Sequence, residues 1–386
     1  MRRHIVFVTP PTPGHVFPTL PLAEELIARG HRVSYVVGDD LAATVQAAGA
    51  AVLGLDWTPD DVDESQADFT FETLMTALTV YLDAAESSLP RIVSALRLDA
   101  PDLICCDSVP LGQLLAAMFD VPMVSLQPTF ATNEHFTADR LVPGVDPAHS
   151  AFGSVMARMG SLFATYQVPA PSGPPPGPTL VFIPKEFQIA GDTFDESFHF
   201  IGPSAERRPG ADDWQPADAG RLLLVSLGTA FNNRPDFFAA AAAAFAGTDW
   251  HVVMAVGKHT DQAKIGPVPP NVQLAADVPQ LAVLRHASAF VTHAGMGSTM
   301  EALYHRVPVV AVPQVSEQAV IAGRVQELGL GHDMGVGTPS AQQLREAVER
   351  VASEEAVRAR LDEMRATIDD AGGAKRGADV LERMLA

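Results

Sequence analysis

The sequence predicts a two-domain α/β protein, each domain a doubly wound parallel sheet of Rossmann-like type. Three observations carry this. The first fifty residues alternate strand, helix, strand, helix. The same alternation restarts at Leu222, after the polar Pro/Gly-rich stretch 205–219. And 386 residues with 47% hydrophobic content are long for one core and sufficient for two. The expected division is 1–204 as an N-terminal domain, 205–219 as a linker, 220–372 as a C-terminal domain, and 373–386 as a last helix.

Ile5 to Val8 is a β-branched and aromatic run of the kind buried on both faces of a parallel sheet. After Pro18, the residues Leu20, Leu22, Ala23, Leu26 and Ile27 recur at helical spacing, and Gly30 ends the helix. Val33 to Val37 gives a second strand and Leu41 to Ala48 a second helix. Phe69 to Leu98 reads as one or two helices. Leu103 to Cys106 is a strand ending at Asp107, followed by a helix over Leu111 to Phe119 and a strand at Met123 to Leu126. The stretch 130–166 reads as irregular structure and helix able to line an apolar pocket, and the proline-rich residues 169–178 as a loop. Short strands are expected at Leu180 to Ile183 and Phe198 to Ile201. In the second half, strands are expected at Leu222 to Val225, His251 to Val256, Val272 to Leu274, Ala289 to Val291 and Val307 to Val312. Helices are expected at Phe237 to Phe245, Ala282 to His286, Glu317 to Leu328 and from Ala341 onward.

The net charge of −20 argues against a nucleic-acid partner, because neutralising a phosphate backbone needs an excess of Lys and Arg. The only cysteines, Cys105 and Cys106, are adjacent and give no disulfide framework, which fits a reducing cytoplasm. The apolar run near the N-terminus stops after about four residues, short of the ~7–15 of a secretory segment. No span suits a membrane.

Two stretches carry chemistry. In the second half, Phe290 to Tyr304 reads strand, glycine turn, helix: His293, Gly295, Met296, Gly297 and Ser298 form the turn and Glu301 lies one helical turn on. Such a junction presents backbone N–H groups and a positive dipole end to an anion, and Glu301 suits vicinal ribose hydroxyls. The plainer reading is a packing turn capped by Ser298. Ser226, Gly228 and Thr229 form a similar junction. Val278 and Gln280 follow another strand, with Gln280 suited to a base edge, and Glu317 and Gln318 suit sugar hydroxyls. In the first half, His15 follows the first strand and Asp107 the strand Leu103 to Cys106. An imidazole at a helix N-terminus, oriented by a carboxylate, suits a general base; a turn histidine and an N-cap are the plainer readings. No GxGxxG or Walker lysine motif follows either first strand. Asp61-Val62-Asp63 is formally a DxD but lies in an acidic run that reads as a solvated loop. No His/Cys spacing suits a metal, so none is expected.

Taken together, PGHVFPTLPLAEELIARGH, FIPKEFQIAGDTFDESFHFIGPS, LVSLGT, VPQLAVLRHASAFVTHAGMGSTMEALY and VPVVAVPQVSEQAVIAGRVQELGLG resemble the family 1 glycosyltransferases of GT-B architecture, in the bacterial macrolide-glycosyltransferase branch. The resemblance implies two Rossmann-like domains facing a central cleft, with the C-terminal helix crossing back to the N-terminal domain. It implies His15 as base, Asp107 as the acid orienting it, and His293 with residues 295–298 on the donor diphosphate. Glu301 matches the ribose ligand, Gln280 the base contact, and Glu317-Gln318 the pair that holds the transferred sugar. Three positions depart from the family pattern: Asp277 replaces a tryptophan, and Gly297 and Ile321 each replace an asparagine. UDP and dTDP both remain open. The implied activity is inverting hexosyl transfer from a nucleotide sugar to a hydroxyl of a small apolar acceptor, as a monomer or homodimer. A nucleotide-sugar 2-epimerase or a non-catalytic nucleotide-binding partner are the alternatives.

Overall fold

The structure, a computed structural model, describes residues 2–57, 71–107, 110–144, 149–171, 173, 177–206, 214–216, 220–229, 232–258 and 260–386. The DxD at 61–63 and most of the expected linker lie outside them. The chain divides into two compact units, one of residues up to Ser204 together with Ala371–Ala386, the other of Ala205–Asp370.

In the first unit β1 (His4–Val8) leads into α1 (Pro13–Val16), a 3-10 turn at Phe17–Thr19, and α2 (Leu20–Ala28). Then follow β2 (Arg32–Val37), α3 (Asp39–Ala47), β3 (Ala51–Gly54), α4 (Phe71–Leu98), β4 (Leu103–Cys106), α5 (Pro110–Phe119), β5 (Met123–Gln127), α6 (Ser150–Thr165), β6 (Thr179–Val181) and β7 (Phe198–Phe200). The seven strands are parallel in the order β3-β2-β1-β4-β5-β6-β7. Both faces are covered, which is why the strands read as unbroken apolar runs. Ile5 and Phe7 pack with Leu22 and Leu26 of α2 on one face. Val6 and Val8 pack with Leu89 and Ile92 of α4 and Leu114 of α5 on the other.

The second unit holds β8 (Arg221–Ser226), α7 (Pro235–Phe245), β9 (Trp250–Ala255), β10 (Val272–Ala275), α8 (Gln280–Leu284), β11 (Ala287–Thr292), α9 (Met296–Tyr304), β12 (Val309–Ala311), α10 (Ser316–Glu327), β13 (Gly331–Asp333), α11 (Ala341–Ser353) and α12 (Glu355–Ala371). Its six strands are parallel in the order β10-β9-β8-β11-β12-β13. The aromatic residues Phe237, Phe238, Phe245 and Trp250 and the α11 residues Leu344, Val348 and Val351 cover one face of it.

The last helix, α13 (Gly373–Met384), belongs to the first unit. Ala378, Val380 and Leu381 enter its core beside α2, and Arg29 reaches Asp379 and Glu382 at 2.6 and 2.7 Å. The turn into α13 depends on two glycines with positive φ, Gly372 at +84° and Gly373 at +54°. A Cβ on Gly373 would stand 2.5 Å from Ser204 Oγ, the hydroxyl that accepts the Ala374 N–H.

Several elements differ from expectation. His15, read as a turn residue at a helix N-terminus, lies within the short helix α1, because Pro13 at the first helical position has its φ preset and needs no acceptor for an N–H. Of the one or two helices expected there, Phe71–Leu98 forms one, which runs through Pro90. The tail after Ala341 breaks at Glu354, whose backbone is extended. Ala205 and Glu206, expected in a linker, pack on the second unit: the Ala205 carbonyl lies 3.1 Å from His305 Nε2, and Arg285 donates to the Glu206 carbonyl. Among the described residues no helix is long and apolar enough to cross a membrane.

Candidate active site

Open parallel sheets bind ligands beyond the carboxyl ends of their strands, where the strand order reverses. In the first unit that point lies between β1 and β4, and the two residues singled out there are in contact. His15 Nδ1 and Asp107 Oδ2 are 2.6 Å apart. The Asp107 side chain is 3% exposed and that of His15 is 37% exposed. A carboxylate only accepts, so the ring proton sits on Nδ1 and the lone pair on Nε2. Asp107 is held by its backbone N–H donating to the Val8 carbonyl at 3.0 Å, so its position is fixed by the β1–β4 pairing itself.

Close to this pair are side chains that the sequence did not single out. The hydroxyl of Tyr81 and the indole N–H of Trp57 are buried and have no hydrogen-bond partner among the described residues, and the two rings lie 6.5 Å apart. Burial, then the nearby Cys106 and Asp107, push the Tyr81 phenol well above its ordinary range, so it stays neutral. Both belong to ordinary apolar patterns in the chain, and only the unsatisfied polar atoms set them apart.

In the second unit the reversal lies between β8 and β11, and it is built around one imidazole. His293 follows β11, and Ala294 then turns with φ +62°, an uncommon conformation for a residue with a side chain. The His293 ring lies between two glycines. A Cβ on Gly228 would approach its Cε1 to 2.5 Å, and a Cβ on Gly295 its Nε2 to 2.4 Å. Burial lowers the His293 pKa to about 4, offset in part by a hydrogen bond to the Ser226 carbonyl. The ring is therefore neutral near pH 7, and its single N–H is taken by the Ser226 carbonyl.

Gly295 is the N-cap of α9 and offers no side chain to the first-turn N–H groups of Met296, Gly297 and Ser298. A Cβ on Gly297 would meet nothing within 4 Å. So the missing asparagine leaves open space, whereas the missing side chains at Gly228 and Gly295 are sterically required. Ser226 Oγ accepts the Gly228 N–H at 3.2 Å, and Asn232 Nδ2 donates to the Gly228 carbonyl at 2.8 Å. Thr229 is exposed beside them.

Gln280, expected at a base edge, also joins the α9 residues. Its Nε2 donates to Ser298 Oγ at 3.1 Å and to Glu301 Oε2 at 2.7 Å. Val278 is half-buried two residues before it, and Asp277 is exposed. Glu317 and Gln318 lie in the first turn of α10, with Gln318 Oε1 accepting the Gln314 N–H at 2.8 Å. Among the described residues no group of three or more His, Cys, Asp or Glu could hold a metal ion.

Residues 240–375 match the family of erythromycin biosynthesis protein CIII-like C-terminal domains. Over 400 aligned residues the chain is 37% identical to NDP-glycosyltransferase YjiC of Bacillus licheniformis, covering 100% of this chain and 98% of that one. The chain belongs to this glycosyltransferase family. Demethyllactenocin mycarosyltransferase of Streptomyces fradiae is also 37% identical, over 99% of this chain and 86% of its own. The crystal structure of CalG4, the calicheamicin glycosyltransferase, superposes with TM-score 0.83 at 39% identity, covering 100% of this chain and 98% of CalG4. The structure of the kitacinnamycin glycotransferase does so with TM-score 0.86 at 34% identity, covering 100% of both. The protein is a glycosyltransferase with the two Rossmann-like sheets of GT-B enzymes, and these relatives give no support to the epimerase reading.

The two glycine environments predict opposite outcomes. Gly295→Ala displaces the His293 ring and weakens nucleoside diphosphate binding at least tenfold in calorimetry, whereas Gly297→Ala changes it less than threefold (about 1.4 kcal/mol separates tenfold steps). Equal effects would refute the packing argument. Two partly buried imidazoles also set a pH dependence. Burial lowers both His293 and His305 to about 4, while an unfolded histidine titrates near about 6.5. Between those values the unfolded chain binds more protons, so the stability present above pH ~6.5 is lost as pH falls toward ~4. Melting temperature is expected to drop across that window, and less steeply in His305→Gln; a flat profile would contradict it.

Proposed function

We propose that the protein transfers a hexose, with inversion and without a metal, from a nucleoside diphosphate sugar to a hydroxyl of a small apolar acceptor such as a macrolide, polyketide or flavonoid. The observation that carries this is the 2.6 Å contact between His15 and the buried Asp107 at the strand-order reversal. His15 Nε2 takes the proton from the acceptor hydroxyl as its oxygen attacks the anomeric carbon. The bond from that carbon to the diphosphate oxygen breaks, and the nucleoside diphosphate leaves with the electron pair. Asp107 stabilises the imidazolium that forms.

On the donor side, the first-turn N–H groups of α9 and its dipole stabilise the charge that develops on the diphosphate, so no metal is required, and the His293 ring borders the same site. Ser226, Gly228 and Thr229 border the same anion site. Glu301 takes the ribose hydroxyls, with Gln280 holding its carboxylate in place. Glu317 and Gln318 hold the sugar. Support for the acceptor class comes from relatives named for macrolides, the demethyllactenocin mycarosyltransferase and the oleandomycin glycosyltransferase of Streptomyces antibioticus. UDP and dTDP sugars both fit this reading.

His15→Ala is expected to lower turnover by roughly 10²–10⁴ while leaving nucleoside diphosphate affinity unchanged. Asp107→Asn is expected to lower it as well and to alter the pH–rate profile. Turnover at the wild-type level in His15→Ala would remove the base. Excess EDTA should leave the rate unchanged; loss of activity restored by a divalent cation would refute the metal-free reading.

A further inference from the structure

Arg234 occupies the N-cap of α7, an odd place for it. Helix N-termini favour Ser, Asp or Asn there, and the dipole disfavours a cation. Its guanidinium is taken up elsewhere. Nη1 donates to Gln314 Oε1 at 2.6 Å, Nη2 to Thr338 Oγ1 at 2.5 Å, and Nε to Asp236 Oδ1 at 3.3 Å. Gln314 is a buried residue just beyond β12. Its Nε2 donates to the Val312 carbonyl at 2.7 Å, and its backbone N–H donates to Gln318 Oε1 at 2.8 Å. The chain of bonds therefore runs from Arg234 through both ends of the Gln314 side chain to the loop that fixes the amide of Gln318.

That last bond decides which way the Gln318 amide faces. Its oxygen is occupied by a backbone donor, so the face it presents onward is the NH₂ group, a donor only. Glu317 beside it can only accept when ionised. We propose that Arg234 is a positioning residue for sugar recognition: through Gln314 it locks Gln318 as a donor beside the acceptor Glu317, a pairing matched to a sugar with two neighbouring hydroxyls. This rests on the reading of Glu317 and Gln318 as the sugar-holding pair.

The test separates sugar from nucleotide. Dissociation constants of UDP, UDP-glucose, dTDP and dTDP-glucose are measured by calorimetry for the wild type, Arg234→Gln, Arg234→Lys and Gln318→Ala. The ratio of bare nucleotide to sugar nucleotide reports the sugar contact alone. In Arg234→Gln the bare nucleotides should bind as in the wild type, and the sugar nucleotides about three- to tenfold more weakly, the scale of one hydrogen bond. Arg234→Lys should recover little, since an ammonium cannot reproduce the forked contacts to Gln314 and Thr338. If Arg234→Gln weakens UDP and UDP-glucose equally, the arginine is a phosphate ligand and the proposal falls. It also falls if only melting temperature changes. A Gln318→Ala variant with an unchanged ratio would instead remove the underlying sugar-site reading. A changed ratio in Gln318→Ala with none in Arg234→Gln would remove the positioning role alone.

Discussion

The two candidate crevices of this chain depend on the reversal of strand order beside the first strand of each sheet. At that point adjacent strands send their following segments to opposite faces, and a crevice opens that no connection crosses. Both units use it in the same way. In the first, β1 and β4 deliver His15 and Asp107; in the second, β8 and β11 deliver the Ser226–Gly228 junction and His293. The backbone pairing that builds the sheet thus also sets the functional geometry, as the Asp107 N–H to Val8 carbonyl bond shows.

The two crevices are tuned in opposite electrostatic senses. The first couples a partly exposed imidazole to a buried carboxylate. The second buries its imidazole against glycines and opposes any charge on it, leaving helix N–H groups to meet an anion. The His15 ring rests against a carboxylate, whereas burial keeps the His293 ring neutral.

Much of the fold was legible because its strands are buried on both faces. Apolar runs such as Ile5 to Val8 and Leu222 to Val225 can be little else. The strands that escaped notice, β3 at Ala51–Gly54 and β13 at Gly331–Asp333, are edge strands, short, glycine-containing and only partly buried, so they carry no comparable pattern. The pairing of His15 with Asp107 was readable as positions at two strand ends, since strand ends gather ligands. The bond from Gln280 to Glu301 was not. It depends on how α8 packs on α9, and nothing local to either segment encodes it. The same holds for Arg234, Tyr81 and Trp57, whose significance lies entirely in what stands next to them or fails to.

The Gln280 bridge bears on nucleotide choice. Sites that discriminate sharply against a missing hydroxyl do so because its absence strands a buried polar group. Glu301 is already bound by the Gln280 amide at 2.7 Å, so in the ribose role proposed for it a deoxyribose that offers one hydroxyl fewer would leave no stranded carboxylate behind. In that role the bridge would set little penalty against either ribose or deoxyribose. Tolerance for the nucleoside would then be a property of an internal hydrogen bond rather than of any contact with the nucleotide.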